Sequence, residues 1–182
     1  MPRETFDREL QRLQDETLAL ASMVEEAITK AVDTLKRRDH EASRQLIDND
    51  RLINDKRFEI EGDVLVLIAT QQPMASDLRT IAAILEITTE LERMGDYAKG
   101  IAKINLMIGD EPLIKPLIDL PRMAAKARDM LHRSLDAFVR RDIDLARSIP
   151  KDDEEIDGLY NQIYRELISY IIADPRTIEQ AN

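Results

Sequence analysis

The chain has no cysteine and no tryptophan, and only five glycines among 182 residues. The first absence excludes disulfide staples, thiolate zinc sites and a cysteine nucleophile, and it permits a reducing compartment, with the cytoplasm as the default. The glycines are too few to build a phosphate-cradling loop, and neither G-x-x-x-x-G-K-[ST] nor G-x-S-x-G occurs. Serine hydrolysis and P-loop phosphoryl transfer lose their support, and the reading is of a protein that is not an enzyme. Aromatics make up 4% of the chain, which disfavours a β-sandwich or barrel. No stretch approaches the ~18 to 20 apolar residues of a membrane-spanning helix. The opening MPRETFDREL has no apolar signal core. Positive charge is also in deficit, with 26 Lys and Arg against 36 Asp and Glu and a formal charge of −10. That balance repels nucleic-acid backbones and anionic lipid, so cations and other proteins are the expected partners.

What remains is 43% hydrophobic and 34% charged, the composition of long amphipathic helices. Apolar residues recur at three- and four-residue steps from Phe6 through Leu13, Met23 and Ala31 to Leu35, up to the charged patch Lys36 to His40. A second such run covers about 41 to 70 and stops before Pro73, and a third covers about 75 to 108 and is closed by Gly109. Each spans about 30 residues, or about 45 Å at the helical rise. Residues 109 to 121, GDEPLIKPLIDLP, carry three prolines and a glycine and read as a connection. Helices are expected again over about 122 to 140 and about 142 to 173, with Pro150 able to shift where the helix that carries Asp153 begins. The division is therefore a first three-helix unit, 1 to 110, a link, 111 to 121, and a second unit, 122 to 182.

The second unit repeats the first. LKRRDHEASRQLIDNDRLIN lies over FVRRDIDLARSIPKDDEEID, matching Asp39 to Asp142, and further on Asp77-Leu-Arg-Thr-Ile lies over Asp174-Pro-Arg-Thr-Ile. In this register Asn182 falls opposite Leu85, so the second copy stops before it reaches the counterpart of ELERMGDYAKGIAK, residues 90 to 103. One helix is expected to be missing, leaving Leu159, Ile163, Leu167 and Ile171 facing water and favouring association with another chain.

Glu92 and Asp96 stand one helical turn apart, on a face opposite the stripe of Ile87, Leu91, Met94 and Ala98. As a solvated face, this pair needs only Arg93 or Lys99 as ionic company. In the second copy KDDEEID crowds five carboxylates, with Asp153 and Asp157 again one turn apart. Like charges so close cost energy unless a cation or a helix amino terminus compensates them, and Pro150 suits the first turn of a helix. The first copy offers Asp50 and Asn54 there, an amide in place of a charge. If these oxygens bind an ion, they select hard cations: magnesium, calcium, manganese or ferric iron. Gly95 removes a side chain where a neighbouring helix or ligand approaches, whereas Gly62 and Gly100 are expected to serve close helix packing.

QQPMASDLRTIAAILEITTELERMGDYAKGIAK, residues 71 to 103, together with DPRTIEQAN, resembles the PhoU family of bacterial phosphate signalling. The resemblance covers the whole chain and implies two pseudo-symmetric antiparallel three-helix bundles, the second here incomplete. It implies E(D)-x-x-x-D motifs holding metal, such as a multinuclear iron cluster, carried over to Glu92, Asp96, Asp153, Asp157, Asp50 and Asn54. An arrangement with Glu92 and Asp96 beside Asp153 and Asp157 of the other unit follows from that. It further implies a cytoplasmic negative regulator of phosphate uptake, linking the ATPase subunit of a phosphate ABC transporter to a sensor histidine kinase, and working as a dimer or larger oligomer. Two other classes compete with it. A carboxylate-bridged iron oxidase or store needs inward-facing Glu-x-x-His pairs, for which Asp129-x-x-His132 is the one near match; an inert helical scaffold needs no metal. Arg37, Arg38, Arg140 and Arg141 read as ordinary charge near helix ends.

Overall fold

The structure, a computed structural model, describes residues 2–181 and consists of helices joined by turns, with no strand among the described residues. The register of Asn182 lies outside them. Three long helices, α1 (Pro2–Arg37), α2 (His40–Gln71) and α3 (Ala75–Ile108), match the three apolar runs and pack on one another. After the connection come α4 (Asp119–Arg140), α5 (Ile143–Ser148), α6 (Pro150–Ala173), a 3-10 turn (Pro175–Thr177) and α7 (Ile178–Ala181).

The first bundle forms because each apolar stripe has two neighbours to face. Leu13, Leu20 and Val24 of α1, Ile60 and Val64 of α2, and Ile81, Ile84 and Leu91 of α3 form one continuous buried core. Leu135 of α4 is buried in the same core, with Leu131 and Phe138 packed against it. The second unit is thus anchored on α1 through α4, and α6 packs outside, on α4 and α5 and on the C-terminal turns.

The duplicated sequence produces duplicated turns. Arg38 and Arg141 both adopt left-handed backbone, with φ of 59° and 55°. The aspartate after each accepts a hydrogen bond from the backbone N–H three residues on, Ala42 N to Asp39 at 2.9 Å and Leu145 N to Asp142 at 2.9 Å, an N-cap in both copies. Beyond the cap the copies differ. The expected helix over 142 to 173 is broken at Ile149, because Pro150 lacks the N–H that would continue the ladder; it becomes the first residue of α6 instead.

Two further expectations are corrected. A methyl group placed on Gly62 or Gly100 would meet nothing within 4 Å, so close packing does not explain them. Leu159, Ile163, Leu167 and Ile171 are half-buried, because α4, the connection and α7 partly cover that side of α6. The exposed face is its neighbour, Tyr160, Tyr164, Ile168 and Ile172.

Candidate functional site

At Gly95, α3 packs close against α2. A Cβ there would stand 3.1 Å from Cδ1 and 3.2 Å from Cγ2 of Ile53, tighter than ordinary packing. The missing side chain lets the two backbones approach, which answers the cost of glycine inside a helix, roughly 1 kcal/mol relative to alanine. Asp50 lies one turn before Ile53 and Asp96 directly follows Gly95. The close approach therefore brings the acidic positions of α2 and α3 to one seam.

At that seam a lysine joins them. The Lys99 ammonium donates to Asp50 Oδ2 at 2.6 Å and to Asp96 Oδ1 at 3.2 Å. Asp50 is only 6% exposed, so its charge is desolvated and requires a partner. The hydrogen bond to Asp50, foremost, holds the Lys99 pKa above the usual lysine range, with burial opposing and Asp96 assisting. Asn54 donates its amide to Asp50 Oδ2 and to the Asp50 carbonyl, each at 3.3 Å. It stands as a donor here, not as the oxygen ligand expected of it. Asp50 Oδ1 is buried without a hydrogen-bond partner. Glu92 is half-buried on the same helix face, and Arg93 turns to Glu90 at 2.8 Å. Asp50 also lines a cavity of about 240 Å³, with Glu26, Lys30, Asn49 and Gly95 among its neighbours there.

The acidic run of α6 is divided by helix geometry. Asp152 pairs with Arg133 and Glu155 with Lys126, both on α4, which ties the start of α6 down. Asp153 and Asp157 point outward and are exposed. They are not brought beside Glu92 and Asp96. Among the described residues no group of three or more His, Cys, Asp or Glu is gathered closely enough to hold a metal ion. The reason is topological: α6 packs against α4, and α4 against α1, whereas Asp96 faces α2. The donor set at the α2–α3 seam is chemically right for a hard metal, but as arranged it already grips an ammonium and does not fit one. The oxidase motif fares no better, since Asp129 pairs with Arg133 at 2.8 Å and the His132 side chain is 79% exposed.

Sequence reasoning missed Arg38. From its left-handed turn it donates to the carbonyls of Gly109 and Glu111 and to Asn105 Oδ1. Asn105, fully buried, donates in turn to Thr34 O and Ser43 Oγ. This network fastens the α1–α2 turn to the end of α3. A polar asparagine within an apolar-periodic run was the available signal.

The class defined by these features is a helical bundle assembled from a duplicated unit, with an ionic seam between helices and no catalytic constellation at it. A family model described as the PhoU domain matches residues 17–104 and 120–181, and the chain belongs to the PhoU family. It is 35% identical over 174 residues to the "Phosphate-specific transport system accessory protein PhoU homolog" of Aquifex aeolicus, covering 96% of this chain and 79% of that one. It is 33% identical to "Phosphate-specific transport system accessory protein PhoU" of Escherichia coli K12, over 95% of this chain and 72% of that protein. The crystal structure of PhoU from Pseudomonas aeruginosa superposes with a TM-score of 0.87 at 32% identity, covering 97% of this chain and 85% of that one. The phosphate transport system regulatory protein PhoU from Streptococcus pneumoniae gives 0.85 at 34% identity, over 93% and 80% respectively.

Proposed function

We propose that this chain is a non-enzymatic negative regulator of phosphate uptake and of the two-component response to phosphate starvation. In this reading it works on the cytoplasmic side, connecting the ATPase subunit of a phosphate ABC transporter to a sensor histidine kinase. The observation that carries it is the match to phosphate-specific transport accessory proteins across 96% of the chain. In keeping with docking rather than insertion, no helix among the described residues is long and apolar enough to cross a membrane. Self-association is part of the proposal and draws on the exposed apolar face of α6. Hard-cation binding, iron included, is proposed for the outward carboxylates of Asp153 and Asp157 rather than for the α2–α3 seam.

The test is complementation. In a bacterium deleted for its own phosphate accessory protein, expressing this chain is expected to return a starvation-induced phosphatase reporter to its repressed level in high phosphate. A reporter that stays induced while the chain accumulates in folded form would overturn the reading.

A further inference from the structure

The seam between α2 and α3 has a property that the family reading does not supply. Two carboxylates on different helices are compensated by a side chain of the same protein, and their distances to it, 2.6 and 3.2 Å, are those of charge-assisted hydrogen bonds. A hard metal ion would need the same oxygens from the same direction. Ammonium and metal are therefore alternatives at this place. Lys99 also reduces the charge that would attract a metal, since two carboxylates plus one ammonium leave only a single net negative charge. Its placement is built in: it sits one turn after Asp96 on α3, and the Gly95–Ile53 approach sets the span to Asp50.

We propose that Lys99 is the resident cation of the α2–α3 seam, cross-linking Asp50 to Asp96 and excluding a metal ion from both. The inference rests on this geometry and not on the regulatory reading. Its corollary is that the seam becomes a hard-cation site when the ammonium is removed. Asp50 Oδ1, buried and without a hydrogen-bond partner, then joins Asp50 Oδ2 and Asp96 as an available oxygen.

The experiment titrates Mn²⁺ into the full chain, followed by calorimetry and by the electron paramagnetic resonance of free Mn²⁺. Asp153→Asn with Asp157→Asn forms the background, so that binding at α6 does not contribute. This background protein is expected to bind no Mn²⁺ at the seam. Lys99→Met keeps the length of the stem and removes the charge; it is expected to gain one equivalent of Mn²⁺ that the background protein lacks. Lys99→Arg keeps the charge and should not gain it. Adding Asp50→Asn to Lys99→Met should abolish the gain. Far-ultraviolet circular dichroism confirms that each variant keeps its helices. Should Lys99→Met fail to fold, the background protein still decides, because Mn²⁺ binding there that is lost on Asp50→Asn overturns the proposal. A folded Lys99→Met that takes up no Mn²⁺ overturns it equally. Neither result bears on reporter repression, so the two readings stand or fall separately.

Discussion

The turn between α1 and α2 and the turn between α4 and α5 share their construction, but the helices that follow them are held differently. Both turns place an arginine in left-handed backbone. In both, the backbone N–H of the next aspartate donates to the carbonyl five residues earlier, Asp39 N to Thr34 O and Asp142 N to Ala137 O, each at 2.9 Å. After the first turn, α2 buries seven residues between α1 and α3. After the second, α6 buries none and is held at its rim by ion pairs from Arg133, Lys126 and Lys115. Turns and caps are specified within a few residues, so a repeat reproduces them wherever it occurs. Burial is specified by neighbours, and α2 lies against two long helices where α6 lies against one.

The sharpest way to break that comparison is to cut equivalent volume from each half. Ile84→Ala removes a fully buried side chain from the α1–α3 core and is expected to cost about 2–5 kcal/mol. Ile163→Ala, on half-buried α6, is expected to cost about 1 kcal/mol or less. Urea unfolding of the two variants measures the difference. Equal losses would mean that α6 contributes to the core as fully as α3 does.

Glycines extend the comparison at smaller magnitude and with opposite signs. Gly95→Val drives atoms into Ile53 and is expected to destabilise by about 1–3 kcal/mol. Gly158→Ala meets nothing within 4 Å and should stabilise by about 0.5–1 kcal/mol through helix propensity. The same unfolding curves read both. A neutral Gly95→Val would show that α2 and α3 can separate without cost, and the seam at Lys99 would lose its structural basis.

Much of the fold was legible because its signals are local. Apolar periodicity marks α2 and α3 within a residue or two and misses only the first turn of α1, which starts at Pro2 and not at Phe6; Gly109, at φ +61°, closes α3 as read. The repeat had aligned Asp39 with Asp142, the aspartates that cap the helices after the two turns. Gly95 was legible as a close approach, though not that Ile53 is what approaches. The site was less legible, because periodicity gives a face and not the helix opposite it. Asp50 and Asp96 could be named as acidic positions, but their meeting through Lys99 depends on the rotation of α2 against α3. The pairing of Asp153 and Asp157 with the α3 carboxylates failed for the same reason: α4, not α6, packs on the first bundle. Arg38 escaped because a charged residue near a helix end ordinarily faces water, and here carbonyls from far along the chain fill its reach.

The smallest effect separates the repeats at Asp77 and Asp174, which align in sequence. Asp77 lies inside α3 and is buried. Asp174 precedes Pro175, which disfavours helical backbone at that position; it takes extended φ and ψ of −143° and 100° and caps the 3-10 turn. Hydrogen bonds from the Arg176 side chain, first, and from its backbone N–H lower the Asp174 pKa from 3.8 to about 2. A carboxylate whose folded pKa is depressed stabilises the folded form above its unfolded pKa, and the contribution is lost as pH falls through the folded value. The terminal turn should therefore keep this support at neutral pH and lose it between about pH 4 and pH 2. Carbon-13 resonances of the aspartate carboxyls, followed by NMR from pH 6 downward, should show Asp174 titrating near 2. Arg176→Gln should raise that midpoint toward 3.8 without altering the α1–α3 signals, and a wild-type midpoint already at 3.8 would show that Arg176 does not hold the Asp174 turn.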